Sequence, residues 1–149
     1  MASPISRTSS SSFGTKNEHP GYANVLAGDS HLGQLLCKIE LSQYWSKSIV
    51  IVTFDENGGY WDHVPPPQID RWGPGMRVPT VIISPFAKKG FIDHTTYDTT
   101  AILKLIETRY GLPPLGKRDK NSKDLTAALD FSGANIADDK RVCKPEPKS

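Results

Sequence analysis

The apolar positions change period along the chain. Leu32, Leu35, Leu36 and Ile39 fall at i, i+3, i+4 and i+7, the spacing of one helical face, and Asp29 ahead of them has an N-capping side chain. This predicts a helix over 29–41. The run from Ser48 to Phe54 is apolar, β-branched and does not alternate, which predicts a strand buried on both faces. A similar run over 78–84 predicts a second strand. Pro79 is tolerable there because the first residues of a strand can lack a donor, and Pro85 ends it. Ile102, Leu103, Leu105 and Ile106 then mark the apolar face of a helix over 99–110, capped by Asp98 and stopped by Gly111. A short third helix is expected over 122–129.

The polar stretches fill in the rest. Pro65, Pro66, Pro67 and Pro74 break residues 58–75 into an irregular loop, and Glu18-His19-Pro20-Gly21 reads as a turn. Residues 1–14 are serine-rich without an apolar core, which suits a flexible leader and not a secretory signal. Residues 133–149 mix both signs of charge with prolines and are expected to be disordered. The folded part is therefore expected over 15–132. Helix, strand, loop, strand and helix in that order imply an α/β fold with a parallel or mixed sheet flanked by helices. Two strands make a poor sheet alone, so the chain reads as part of a larger one. A missing region or another chain, associating through an exposed sheet edge, would supply the remainder.

Composition narrows the function. The chain has 149 residues, 37% apolar and 23% charged, which suits one globular domain. A net charge of +2 gives no basis for binding nucleic acid or an anionic membrane. No apolar run reaches the roughly 18 residues of a membrane span. Cys37 and Cys143 form no metal motif; they read as unpaired thiols, with a bridge between them left open.

Candidate chemistry gathers where the first strand ends. Asp55-Glu56-Asn57-Gly58-Gly59 places two carboxylates, an amide and two glycines there, and ligands bind at the carboxyl ends of strands in open α/β sheets. Hard oxygens at that point suit a divalent metal, and the glycines permit a sharp exit that lets adjacent side chains converge. His63 follows Asp62, which could hold its ring in one tautomer for a metal or a phosphoryl oxygen. His19 is similar in kind on weaker local grounds, whereas His31 and His94 read as structural or rim residues. Tyr60, Trp61 and Trp72 could wall a substrate pocket or pack against the sheet. No G-x-S-x-G elbow, P-loop or EF-hand pattern is present.

Several segments occur in a fixed order: Glu18-His19-Pro20-Gly21-Tyr22, Gly28-Asp29-Ser30-His31, the block from Val52 to Pro66, the block from Arg77 to Pro85, and Tyr97-Asp98-Thr99-Thr100-Ala101-Ile102-Leu103. Together, over about residues 15–132, they resemble the C-terminal part of the bacterial phosphoesterase family that includes acid phosphatases and non-haemolytic phospholipases C, within the alkaline phosphatase superfamily. The Tyr97–Thr100 segment leans towards the acid phosphatase branch. The resemblance implies a truncated three-layer α/β/α fold with a partial alkaline-phosphatase-like sheet, and hydrolysis of phosphate monoesters or phospholipids. It implies a divalent metal held by Asp55 and Glu56, a phosphoryl contact from His19, and a catalytic role for His63. The family's remaining metal ligands and its nucleophile lie upstream of the Glu-His-Pro segment and are not found in this chain. The chain is thus expected to be either part of a working hydrolase or an inactive remnant that binds metal or phosphate weakly, or associates with a partner. Family members are often periplasmic or secreted.

Overall fold

The computed structural model describes Glu18, residues 23–133 and Cys143. The expected leader, nearly all of the expected tail, and His19 lie outside these residues. The chain divides into two compact units: residues 1–45 with 141–149, and residues 46–140.

The described part of the first unit is built on α1 (Val25–Glu40). The helix begins earlier than Asp29, because Asn24 is extended and its Oδ1 accepts a hydrogen bond from the Ala27 amide at 2.8 Å. Asp29 is an exposed residue within the helix, not its cap. Leu32, Leu36 and Ile39 of the expected face are half-buried, whereas Leu35 is exposed. Cys37 and Cys143 are joined by a disulfide with Cα atoms 5.3 Å apart, which corrects the reading of unpaired thiols. Cys143 is held a second time, since its amide donates to Glu40 Oε2 at 3.2 Å.

The second unit holds β1 (Val50–Thr53), β2 (Thr80–Ile83), α2 (Thr100–Tyr110), the short α3 (Lys117–Asn121) and a 3₁₀ helix, Leu125–Ala128. Both strands form where the β-branched runs predict them, but shorter. They pair antiparallel, Val50 opposite Ile83 and Thr53 opposite Thr80, and not in the parallel or mixed sheet expected. A parallel pair needs a crossover element, whereas the glycine- and proline-rich segment between these strands makes no helix and folds straight back. Side chains take over where the ladder stops: Thr53 Oγ1 donates to the Pro79 carbonyl at 3.1 Å, and Ser84 Oγ to the Ser48 carbonyl at 2.7 Å. The strands are also not buried on both faces. All of β1 is half-buried, and Thr80 and Val81 of β2 are exposed. The fold is mixed α/β, with a small two-stranded sheet.

The tightest packing of this unit lies away from the sheet. Ala101 of α2 and Leu125 and Leu129 around the 3₁₀ helix are buried apolar residues there, among those described. α2 packs chiefly on α3 and the 3₁₀ helix, so it is not the cover for the sheet that the pattern suggested. Asp98 accepts from the Thr100 amide at 2.8 Å and so caps α2 as expected, and Gly111, with φ 64°, ends it in a left-handed turn that favours glycine. Leu103 and Ile106 of the expected apolar face are exposed. The third helix, expected over 122–129, is a 3₁₀ turn preceded by α3. Lys88 and Asp130 amides donate to Ala128 and Phe86 carbonyls at 2.9 and 2.7 Å, pinning the 3₁₀ helix to the segment after β2. Among the described residues no helix is long and apolar enough to cross a membrane.

Candidate active site

The chain leaves β1 through a turn that its own side chains build. Glu56 N donates to Asp55 Oδ1 at 3.1 Å, and Gly58 N donates to Glu56 Oε2 at 2.7 Å. Each carboxylate thus commits one oxygen to local backbone, a common habit of acidic residues in turns. Gly58 and Gly59 have φ of 66° and 78°, a backbone state that a side chain would strain, which accounts for the glycine pair. Asn57 braces the turn. Its Nδ2 donates to the Tyr60 carbonyl at 2.6 Å and lies 2.7 Å from Met76 Sδ, close to the start of β2. Asp55 and Glu56 are both exposed, side by side at the carboxyl end of the strand, as the sequence predicts.

This donor set suits a hard divalent cation in kind, since it offers carboxylate oxygens on a short, braced turn. It is not a complete shell. Among the described residues no group of three or more His, Cys, Asp or Glu is arranged to hold a metal ion. His63 is therefore not brought into a three-ligand group with the acidic pair.

His63 also differs from expectation in its partner. Its side chain is 85% exposed, and Nδ1 is 3.8 Å from Asp62 Oδ1, too far for a hydrogen bond that would fix the tautomer. Asp62 is engaged elsewhere. Arg77 Nε and Nη2 donate to its two oxygens at 2.9 and 2.8 Å, and the Val64 amide donates to Oδ1 at 3.0 Å. This two-pronged pair with Arg77, helped by the Val64 amide, holds the Asp62 carboxyl well below the usual carboxylate range. The ion pair closes the first part of the loop between the strands.

A second arginine pins the rest. Asp70 accepts from the Trp72 and Gly73 amides at 2.8 and 3.1 Å, and Arg118 of α3 reaches back to Asp70 Oδ2 at 2.6 Å and to the Gly73 carbonyl at 3.1 Å. Neither arginine stood out in the sequence. Their partners lie 15 and 48 positions away, and no periodicity links them. Tyr60, Trp61 and Trp72 are 67%, 87% and 76% exposed, so they do not pack against the sheet. Trp72 carries the Arg71 guanidinium 4.3 Å above its ring. His31 is half-buried on α1, and His94 is exposed.

Residues 8–113 match the Phosphoesterase family. The chain is similar to phospholipase C A of Mycobacterium tuberculosis, 32% identical over an alignment covering 78% of this chain and 28% of that protein. It is similar to the non-hemolytic phospholipase C of Pseudomonas aeruginosa, 28% identical over 80% of this chain and 22% of the relative. A plant protein, non-specific phospholipase C1 of Arabidopsis thaliana, is 31% identical over 55% of this chain and 18% of its own length. The chain thus spans little more than a quarter, or less, of the length of these relatives.

Proposed function

The chain belongs to the phosphoesterase family, and from that membership we propose that it supplies the C-terminal part of a phosphoric-ester hydrolase site, in a truncated three-layer alkaline-phosphatase-like fold. The observation that carries this reading is the braced, exposed pair Asp55 and Glu56 at the end of β1. Each carboxylate has a second oxygen beyond the one used in the turn. Asp55 Oδ2 and Glu56 Oε1 would enter the coordination shell of a divalent ion whose other ligands, with the nucleophile, come from sequence outside these 149 residues. A divalent ion there supplies charge neutralisation at the phosphoryl oxygens and lowers the pKa of a bound hydroxyl.

The chain's own residues then have distinct tasks. Asn57 and the two glycines hold the carboxylates in register with the strand end. His63, exposed on its loop, is free to turn towards a phosphoryl oxygen or a leaving oxygen. His19 takes the phosphoryl contact that the family resemblance assigns to it. The substrate is a phosphate monoester or a phospholipid; the names of the relatives favour the second. An open sheet edge is the surface through which a complementing segment would associate.

The test is complementation. The 149-residue chain alone should hydrolyse a chromogenic phosphate ester negligibly, with or without divalent metal, because positioned ligands do not replace an oriented nucleophile. Joining it to the N-terminal portion of a relative should create metal-dependent turnover that Asp55→Ala and His19→Ala remove. Robust turnover by the unmodified chain, or full activity in Asp55→Ala of the joined protein, would overturn the assignment.

A further inference from the structure

The second unit contains another pair of acidic side chains, and nothing in the proposed site uses it. Glu107 on α2 and Asp119 on α3 are 6% and 4% exposed and face each other across the joint between the two helices. Asp119 is well supplied with donors: the Leu115 and Gly116 amides donate to its oxygens at 2.5 and 2.8 Å. Glu107 is not. Neither of its carboxyl oxygens has a hydrogen-bond partner, although the side chain is only 7% exposed.

Two ionised carboxylates are acceptors only, so they cannot bond to each other, and a buried charge without a donor is costly. One proton resolves both problems. A protonated Glu107 gains a hydroxyl that can donate to the Asp119 carboxylate, and like charges no longer meet in a buried joint. We infer that Glu107 and Asp119 share one proton and form a clasp between α2 and α3 that holds when Glu107 is protonated and loosens as pH rises.

The surrounding charges are consistent with this division of roles. On α2, Lys104 Nζ is 3.7 Å from Glu107 Oε2, beyond hydrogen-bond reach, and it also faces Asp124 beside the 3₁₀ helix. On α3, Arg118 is drawn away by Asp70. Burial, with Asp119 second, pushes the Glu107 carboxyl above the usual range against the pull of Lys104 and of the Leu115 amide, which donates to Asp119. Burial opposes ionisation of Asp119 too, but the donor that a protonated Glu107 offers and the Leu115 and Gly116 amides outweigh that and hold its carboxyl below the usual range. Leu103, Glu107, Leu112, Pro113 and Leu115 line a cavity of about 240 Å³ at this joint, through which water would reach the deprotonated acid.

The sign follows from proton counting. Between the ordinary glutamate pKa and its raised folded value, the folded chain binds one more proton than the unfolded chain. Stability is full below the ordinary value and is lost as pH rises through this window, by up to about tenfold in the folded-to-unfolded ratio per pH unit. Asp119 acts in the opposite sense, losing its contribution only as pH falls below the ordinary aspartate value. The clasp is therefore firmest in mildly acidic solution.

Carboxyl-resolved NMR titration of the 149-residue chain tests this directly. Glu107 should titrate above the ordinary glutamate value and Asp119 below the ordinary aspartate value. Lys104→Met should move the Glu107 midpoint further upward. Glu107→Gln, which carries a permanent donor, should flatten the fall in Tm that the parent chain shows as pH rises above the ordinary glutamate value. Titration of Glu107 with the other glutamates would overturn the clasp, as would parallel Tm curves for the two chains. If Glu107→Gln does not fold, the titration of the unsubstituted chain decides alone.

Discussion

The two acidic pairs in the second unit, Asp55 with Glu56 and Glu107 with Asp119, use the same functional group in opposite ways. The first pair is adjacent in sequence, exposed, and satisfied by the backbone of a tight turn, with one oxygen of each carboxylate left facing water. The second pair is brought together by two helices, buried, and short of one donor, so it needs a proton to exist at all. Exposure, more than the residue type, decides which pair can offer charge to a ligand and which becomes part of the scaffold.

The contrast can be broken most strongly at the exposed pair. In a protein completed with an N-terminal portion, Asp55→Ala should lower phosphoesterase turnover by about a hundredfold or more, in steady-state assays, while leaving Tm nearly unchanged. If instead Tm collapses and the residual folded enzyme is fully active, the pair belongs to the scaffold. In the isolated chain, calorimetry should show weak divalent-cation binding that disappears in Asp55→Asn with Glu56→Gln, since two carboxylates are fewer ligands than a closed shell requires.

The scaffold side is probed at Leu125, which is 6% exposed in the core beside α2. Leu125→Ala should cost about 2–5 kcal/mol in denaturant unfolding, and Ile106→Ala, at an exposed position, under about 1 kcal/mol. Equal losses would mean that α2 buries the face predicted from its periodicity and not the one described.

The smallest effect is expected at Arg77. Arg77→Ala should return the Asp62 carboxyl towards its ordinary range in an NMR titration, with little loss of stability at neutral pH because the pair is partly exposed. For the parent chain the sign is that of a depressed carboxylate: the contribution is present above the ordinary aspartate pKa and is lost as pH falls towards the lowered folded value. An unmoved Asp62 midpoint in the variant would assign the shift to the Val64 amide.

Much of this contrast was legible in one half only. The strand runs and the Asp55–Gly59 turn could be read because their causes are local: β-branched side chains, carboxylates next to amides, glycines where φ is positive. Strand direction was not legible. It is decided by how residues 54–79 close on themselves, through Asn57 with Met76 and Asp62 with Arg77, and such side-chain pairs leave no periodic trace. The apolar stripe begins later than α1 itself, because Val25 and Leu26, its first residues, are exposed and do not extend it. Glu107 and Asp119 do not stand out in the sequence, because their burial comes from each other's elements. His63 was matched with its sequence neighbour, yet that neighbour is taken by an arginine distant in sequence.

The bridge between Cys37 and Cys143 spans 106 positions, and the whole second unit lies within that covalent ring. A protease that nicks the exposed loop around Trp61 or Trp72 would therefore leave a single molecule of nearly unchanged mass, separating into two fragments only under reducing conditions. The ring also limits how far the unfolded chain can expand, a restraint that a reducing compartment would withdraw.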